Sequence, residues 1–269
     1  MSSYGERLAA AIEARGRLCV GIDPHASVIE AWGHEYGVAG LEAVARGMVD
    51  ALGDVVAVFK PQSAFFEAHG SAGIAVLERT IAAAKAAGAL VIVDAKRGDI
   101  GSTMAAYARA YLDDSSSLAG DAVTVSPYLG FGSLQPAIDL AHATGRGLYV
   151  LARTSNPEGG DVQTARREDG RSVAQGIVDA AAAVNADSGQ GAVGLVIGAT
   201  RTDAGCDLSE FNASILAPGI GAQGGTIQSL AGIFGPATGY VLPSASREVL
   251  LQGPDPAALR EAVARLASA

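Results

Sequence analysis

Eight short apolar runs punctuate this chain, at residues 18–22, 55–59, 90–93, 122–125, 148–151, 193–197, 214–217 and 240–242. They show little polar alternation, as expected of strands buried on both faces. Most are separated by longer, Ala-rich stretches with helical periodicity, at 41–52, 73–87, 102–111, 134–143, 172–186 and 256–266, and another such stretch, 6–14, precedes the first run. In the 73–87 stretch Val76, Leu77 and Ile81 form an inward stripe, and Leu259, Val263 and Leu266 do the same in the last one. Strands and helical crossovers in alternation predict an α/β chain, a (β/α)8 TIM barrel, as a single domain over residues 1–269. With 269 residues, 49% of them hydrophobic, one large core can be buried, and no linker-like segment divides the sequence. A doubly wound open sheet is the main rival, but no Gly-x-Gly-x-x-Gly follows the first apolar run.

A net charge of −9 argues against nucleic acid as a partner, because neutralising a phosphate backbone needs a basic stripe. A small phosphorylated ligand remains compatible, since one Arg and a few backbone N–H groups suffice to hold it. The two cysteines, Cys19 and Cys206, have no CxxC or His partner at zinc spacing, and so few thiols fit a reducing cytoplasm. The opening residues, MSSYGER, lack the apolar centre of a signal peptide, and no apolar run nears the roughly 18 residues of a membrane span. None of the four histidines, His25, His34, His69 and His142, sits in a metal-type pair, although His25 follows the first strand end.

In such a barrel, reactive groups gather where strands end. Here the ends read Gly21-Ile22-Asp23-Pro24-His25, Phe59-Lys60-Pro61-Gln62, Asp94-Ala95-Lys96-Arg97-Gly98-Asp99-Ile100, Arg153-Thr154-Ser155-Asn156-Pro157, Pro218 to Gly225, and Pro243-Ser244-Ala245-Ser246-Arg247. The third group is the most informative. Asp94 and Lys96 are two apart and point the same way off an extended backbone, with Asp99 following across a Gly-containing turn. Such density of charge beside an apolar strand is costly unless paired. A structural ion pair at the rim would account for it alone, but Asp23 and Lys60 at neighbouring ends extend it into an alternating array of charges.

Asp94-Ala95-Lys96-Arg97-Gly98-Asp99-Ile100 fits the D-x-K-x-x-D-I pattern, and through it the chain resembles the orotidine 5′-phosphate decarboxylase family. Phe59-Lys60-Pro61, Thr154-Ser155-Asn156-Pro157 and the 218–225 segment support the resemblance in the family's order, and the 59–70 stretch FKPQSAFFEAHG is similar to the longer bacterial branch. The resemblance implies removal of a carboxylate from C6 of a pyrimidine nucleotide, the last step of de novo UMP synthesis, with no cofactor and no metal. Preorganised charge must then stabilise a carbanion that has little delocalisation. It implies that Lys96 lies against C6 and donates the proton, that Asp94 lies near the leaving carboxylate, and that Lys60 sits between the carboxylates and keeps Lys96 charged and oriented. It also implies that Asp99 and Thr103 reach the site from the other subunit of a homodimer.

For substrate binding, the resemblance points to Asp23 on ribose, Ser155 on the pyrimidine edge, and Gln223, Gly224 and Arg247 on the phosphate, with Gly219, Gly221 and Gly225 allowing close backbone approach. Each has an ordinary structural use as well: Asp23 could cap a turn, Ser155 could belong to a plain Ser-Asn-Pro turn, Thr103 could open a helix, and the Gly-rich loop could stay unliganded. Three other readings compete. Magnesium-dependent sugar-phosphate relatives carry an acidic residue where this chain has Lys60. A Schiff-base aldolase needs a depressed lysine pKa, which flanking carboxylates oppose. A non-catalytic nucleotide-binding protein has no need of Lys96 between Asp94 and Asp99. The polar stretch 156–171 has no assigned role.

Overall fold

The computed structural model describes residues 2–221 and 224–268. Its eight strands are β1 (Cys19–Ile22), β2 (Val58–Pro61), β3 (Leu90–Arg97), β4 (Ala122–Val125), β5 (Gly147–Arg153), β6 (Val193–Ile197), β7 (Ile215–Pro218) and β8 (Val241–Ala245). They close into a barrel in chain order, all pairs parallel, with Cys19 opposite Ser244 and Val20 opposite Ala245 at the seam. The (β/α)8 expectation holds.

Two differences in strand boundaries have physical causes. The run at 55–59 begins too early, because the Val55 and Val56 N–H groups bond to Leu52 O and finish the preceding helical turn. The strands β3 and β8 run on to Arg97 and Ala245, past the first polar residue, and β5 runs on to Arg153. In β3 and β8 the first such residue, Asp94 or Ser244, sits at an inward position that lines the hollow at the barrel mouth, where a polar side chain is accommodated. Short helices at Ala26–Ala31, Ser63–Glu67, Gly159–Gln163 and Ile227–Phe234 carry too few turns to show a periodic stripe. Among the described residues no helix lies between β6 and β7; Leu208 and Phe211 are buried there instead.

The barrel's lower interior is apolar and plugged. Cys19, Val58, Ile92, Ala122, Tyr149, Val196, Leu216 and Leu242 form one buried cluster with Tyr4 and Leu8 of the opening helix Tyr4–Arg15. Ser3 caps that helix in a reciprocal box with Glu6. Tyr4 enters because β5 starts with glycine: a Cβ at Gly147 would lie 2.5 Å from the Tyr4 ring. The hydroxyl of Tyr149 lies 3.0 Å from that of Tyr4 and donates to Ser214 Oγ at 2.9 Å, so neither phenol is left unpaired in the core. Two residues further along, the inward positions become Lys60, Asp94, Thr124 and Ser244. The apolar plug below therefore supports a polar layer at the C-terminal mouth.

Candidate active site

Asp94 is the centre of that layer. Its Oδ2 accepts from Lys60 Nζ at 2.8 Å and Gln62 Nε2 at 3.0 Å, and its Oδ1 accepts from Lys96 Nζ at 2.6 Å and Thr124 Oγ1 at 2.7 Å. Burial alone would favour the neutral acid, but the two ammonium groups overcome it and hold the carboxyl well below the usual range. Lys60 is equally buried, and burial alone would discharge it. Asp94, together with Asp23 at 4.0 Å, reverses that and raises its pKa. Lys60 thus lies between two carboxylates and shares one of them, Asp94, with Lys96.

Lys96 adopts φ 48°, the left-handed region that non-glycine residues avoid. The β3–β4 register shifts between Val93 and Arg97, so this residue sits in the irregular stretch. Its N–H donates to Thr124 Oγ1 at 2.9 Å, while the same hydroxyl donates to Asp94 Oδ1. Thr124 therefore fixes both the strained backbone and the carboxylate. The two lysines differ in access: the side chain of Lys60 is 6% exposed and that of Lys96 43%.

Two hollows meet at these groups. One of about 290 Å³ is lined by Asp23, Lys60, Asp94, Lys96, Ser155 and Pro218, among others. The other, about 460 Å³, adds His25, Phe65, Gly219, Ser246 and Arg247 while sharing Asp23, Lys60, Gln62, Lys96 and Pro218. Together they form a cleft with mixed charge at one end and Arg247 at the other. A larger hollow of about 850 Å³, between the 203–212 loop and the 232–240 segment, has no Lys or Arg in its wall and so no counter-charge for an anion. Within the cleft, Asp23 Oδ1 and Ser246 Oγ are buried without a hydrogen-bond partner among the described residues. Orphaned polar atoms of this kind cost about 1–3 kcal/mol each, and a bound ligand would satisfy them.

Residues 16–262 match the family described as "Orotidine 5'-phosphate decarboxylase / HUMPS family". This chain belongs to that family. A curated orotidine 5′-phosphate decarboxylase from Salinispora arenicola is 57% identical over 267 residues, which is 99% of this chain and 96% of the relative. One from Streptomyces coelicolor is 56% identical, with 99% and 96% covered. A crystal structure from Streptomyces avermitilis superposes with TM-score 0.96 at 58% identity over 100% of this chain and 94% of that one. The structure of Leishmania donovani OMP decarboxylase reaches TM-score 0.78 at 30% identity, with 99% and 98% covered.

Of the residues expected from the family resemblance, Asp23, Lys60, Asp94, Lys96 and Ser155 line the first hollow, and Arg247, at the start of helix Arg247–Leu250, lines the second. Asp99 and Thr103 line neither. Asp99 accepts from the Ile100 N–H at 2.8 Å, and Thr103 is exposed on the first turn of helix Gly101–Leu112. Gly224 is exposed, with φ 92°, and Gln223 lies outside the described residues.

Gln62, Thr124 and Ser246 belong to the site and were not expected. Gln62 had a signal: it stands two positions after Lys60, as Lys96 stands after Asp94, so both point inward. Thr124 is the polar member of Ala122–Val125, a weak mark within an apolar run. Ser246 has room only because β1 carries glycine opposite it, since a Cβ at Gly21 would lie 2.7 Å from Ser246 Cβ.

Proposed function

We propose that this chain decarboxylates orotidine 5′-phosphate to UMP and CO2, as a cytoplasmic single-domain enzyme that uses its own charges in place of a cofactor or metal. The observation that carries the reading is Asp94 holding two ammonium groups, one on each oxygen, at the inner end of a cleft that runs out to Arg247.

The pyrimidine lies in the smaller hollow with C6 against Lys96 Nζ and its edge against Ser155. The C6–carboxylate bond breaks, CO2 leaves, and the electron pair stays on C6. The Lys96 ammonium stabilises that pair and then transfers a proton to it. Exposure favours Lys96 over Lys60 as the donor, because water can return the proton to an accessible amine. Lys60, enclosed between Asp94 and Asp23, keeps the carboxylate network fixed, so little reorganisation is needed as charge develops. Asp23 Oδ1 accepts from ribose, while Arg247 and the Gly219 end of the loop take the phosphate. A phosphate grip remote from C6 contributes to rate by holding the pyrimidine in place against the charged groups.

The charge on Lys60 also opposes a divalent ion at Asp23 and Asp94, which disfavours the magnesium-dependent relatives. Asp99 and Thr103 serve the site of a second copy in a homodimer. Supporting this, Ile100, Tyr128 and Leu129, which follow β3 and β4, are 62%, 77% and 52% exposed, an apolar surface suited to burial against another subunit. Among the described residues no helix is long and apolar enough to cross a membrane.

The test is the ultraviolet absorbance change on adding orotidine 5′-phosphate with EDTA present. Turnover is expected, and Lys96→Ala should abolish it while nucleotide binding largely persists. Undiminished turnover in that variant refutes the proton-donor role. Activity that requires a divalent ion points to the sugar-phosphate relatives, and borohydride trapping of a lysine adduct points to Schiff-base chemistry.

A further inference from the structure

The polar stretch 156–171 contains a short helix, Gly159–Gln163, that lines neither hollow of the active site. Its last side chain turns back nine positions along the chain. Gln163 Oε1 accepts from the Thr154 N–H at 3.0 Å and, over 3.4 Å, from Arg153 Nη1, while Gln163 Nε2 donates to Thr154 Oγ1 at 2.7 Å. That hydroxyl donates in turn to Asn156 Oδ1 at 2.7 Å. From beyond β6, Arg201 Nε donates to the Thr154 carbonyl at 3.2 Å. Every polar group of Thr154 is thus held by residues distant in sequence or by its own turn.

Ser155, the next residue, is pressed against the end of β6, where a Cβ on Gly198 would lie 2.8 Å from Ser155 Cβ. The space for the Gln163 amide is equally specific: a Cβ on Gly159 would come within 2.7 Å of Thr154 Oγ1 and 3.0 Å of Gln163 Nε2. Thr154, Ser155 and Asn156 all face the hollow assigned above to the pyrimidine.

We propose that Gln163 is a positioning residue for base recognition: its amide locks the Thr154–Asn156 turn in the conformation that presents Ser155 to the pyrimidine. The inference rests on the proposed Ser155 contact. An amide suits the task because one end must accept from a backbone N–H while the other donates to a hydroxyl already committed to Asn156. A carboxylate supplies only the accepting half. Since Gln163 touches the turn and not the cleft, its effect belongs to the base and not to the ribose phosphate, which is held at the Arg247 end.

The experiment measures equilibrium binding of UMP and of ribose 5-phosphate to the full chain in four forms: parent, Gln163→Met, Ser155→Ala and the double variant. Gln163→Met removes two good hydrogen bonds, so UMP binding should weaken about 10-fold. Ribose 5-phosphate binding should change less than about twofold. In the Ser155→Ala background the Gln163→Met substitution should have almost no further effect on UMP, because the latch acts through Ser155. Equal weakening of both ligands, or additive losses in the double variant, overturns the proposal. Unchanged UMP binding in Ser155→Ala overturns the Ser155 contact itself, whereas a loss there without one in Gln163→Met overturns only the latch. If Gln163→Met does not fold, Gly159→Ala crowds the same amide and must show the same base-selective loss for the proposal to stand.

Discussion

Replacing Asp94 with Asn tests the central claim about this site, because it removes one charge and very little volume. Lys60 Nζ lies 2.8 Å from Asp94 Oδ2, and their side chains are 6% and 7% exposed. At an effective dielectric of about 20, the gross attraction at that distance is about 6 kcal/mol. The amide keeps part of the hydrogen bonding, and Asp23 remains at 4.0 Å from Lys60. These offsets leave a net destabilisation near the lower end of the range for a stranded buried partner, about 3 kcal/mol. For a chain of this size that lowers Tm by about 6–12 °C. Thermal unfolding of the unliganded protein, followed by circular dichroism, reads the shift directly. Adding Lys60→Met to the variant removes the stranded ammonium and should recover more than half of the loss. If Asp94→Asn melts within about 2 °C of the parent, or the second substitution only deepens the loss, the two groups are not the coupled buried pair described here.

The same pair sets a pH window. Asp94 ionises below its ordinary value of 3.8 in the folded chain, so its contribution is complete above that pH and is lost as acid drives the pH down through the folded value. Lys60 titrates above its ordinary value of 10.5, so its contribution is complete below that pH and is lost as the pH rises towards the folded value. The stability difference between parent and Asp94→Asn, from urea unfolding, should therefore be flat between these two values and shrink outside them; a difference that varies steadily across the neutral range contradicts the assignment. For the proposed shared site of a homodimer, Lys96→Ala and Asp99→Ala variants should each be inactive, and an equal mixture allowed to exchange subunits should regain roughly a quarter of parental activity, since half the dimers would hold one intact site. No recovery despite demonstrated exchange would place Asp99 outside the partner's site. Gly21→Ala pushes a methyl onto Ser246 and should raise KM for the nucleotide more than it lowers Tm, whereas an unchanged KM would mean that the Ser246 wall does not touch substrate.

Much of this architecture was legible because burial on both faces leaves a coarse mark. The 122–125 and 193–197 runs coincide with β4 and β6, where every residue is buried. Legibility fails where barrel strands turn polar. In β3 the apolar run stops at Val93, yet the strand continues through Asp94, Ala95 and Lys96 to Arg97. The lumen there is lined by partners on β2 and β4, so a charge does not mark the strand's end; it marks the height at which the interior changes from packing to chemistry. Charged members of that layer were visible because Asp and Lys are rare beside buried strands. Gln62 and Thr124 left weaker marks, since an uncharged polar residue is common in turns and tolerable in strands, and only the three-dimensional pairing shows that both hold Asp94. A spacing of two between Asp94 and Lys96 predicts a common face only for regular extended backbone, which the φ of 48° at Lys96 interrupts, and it cannot say that a single carboxylate would divide itself between two lysines from adjacent strands. That division depends on β2 and β3 standing side by side, and it is the closed parallel order of the barrel that provides it.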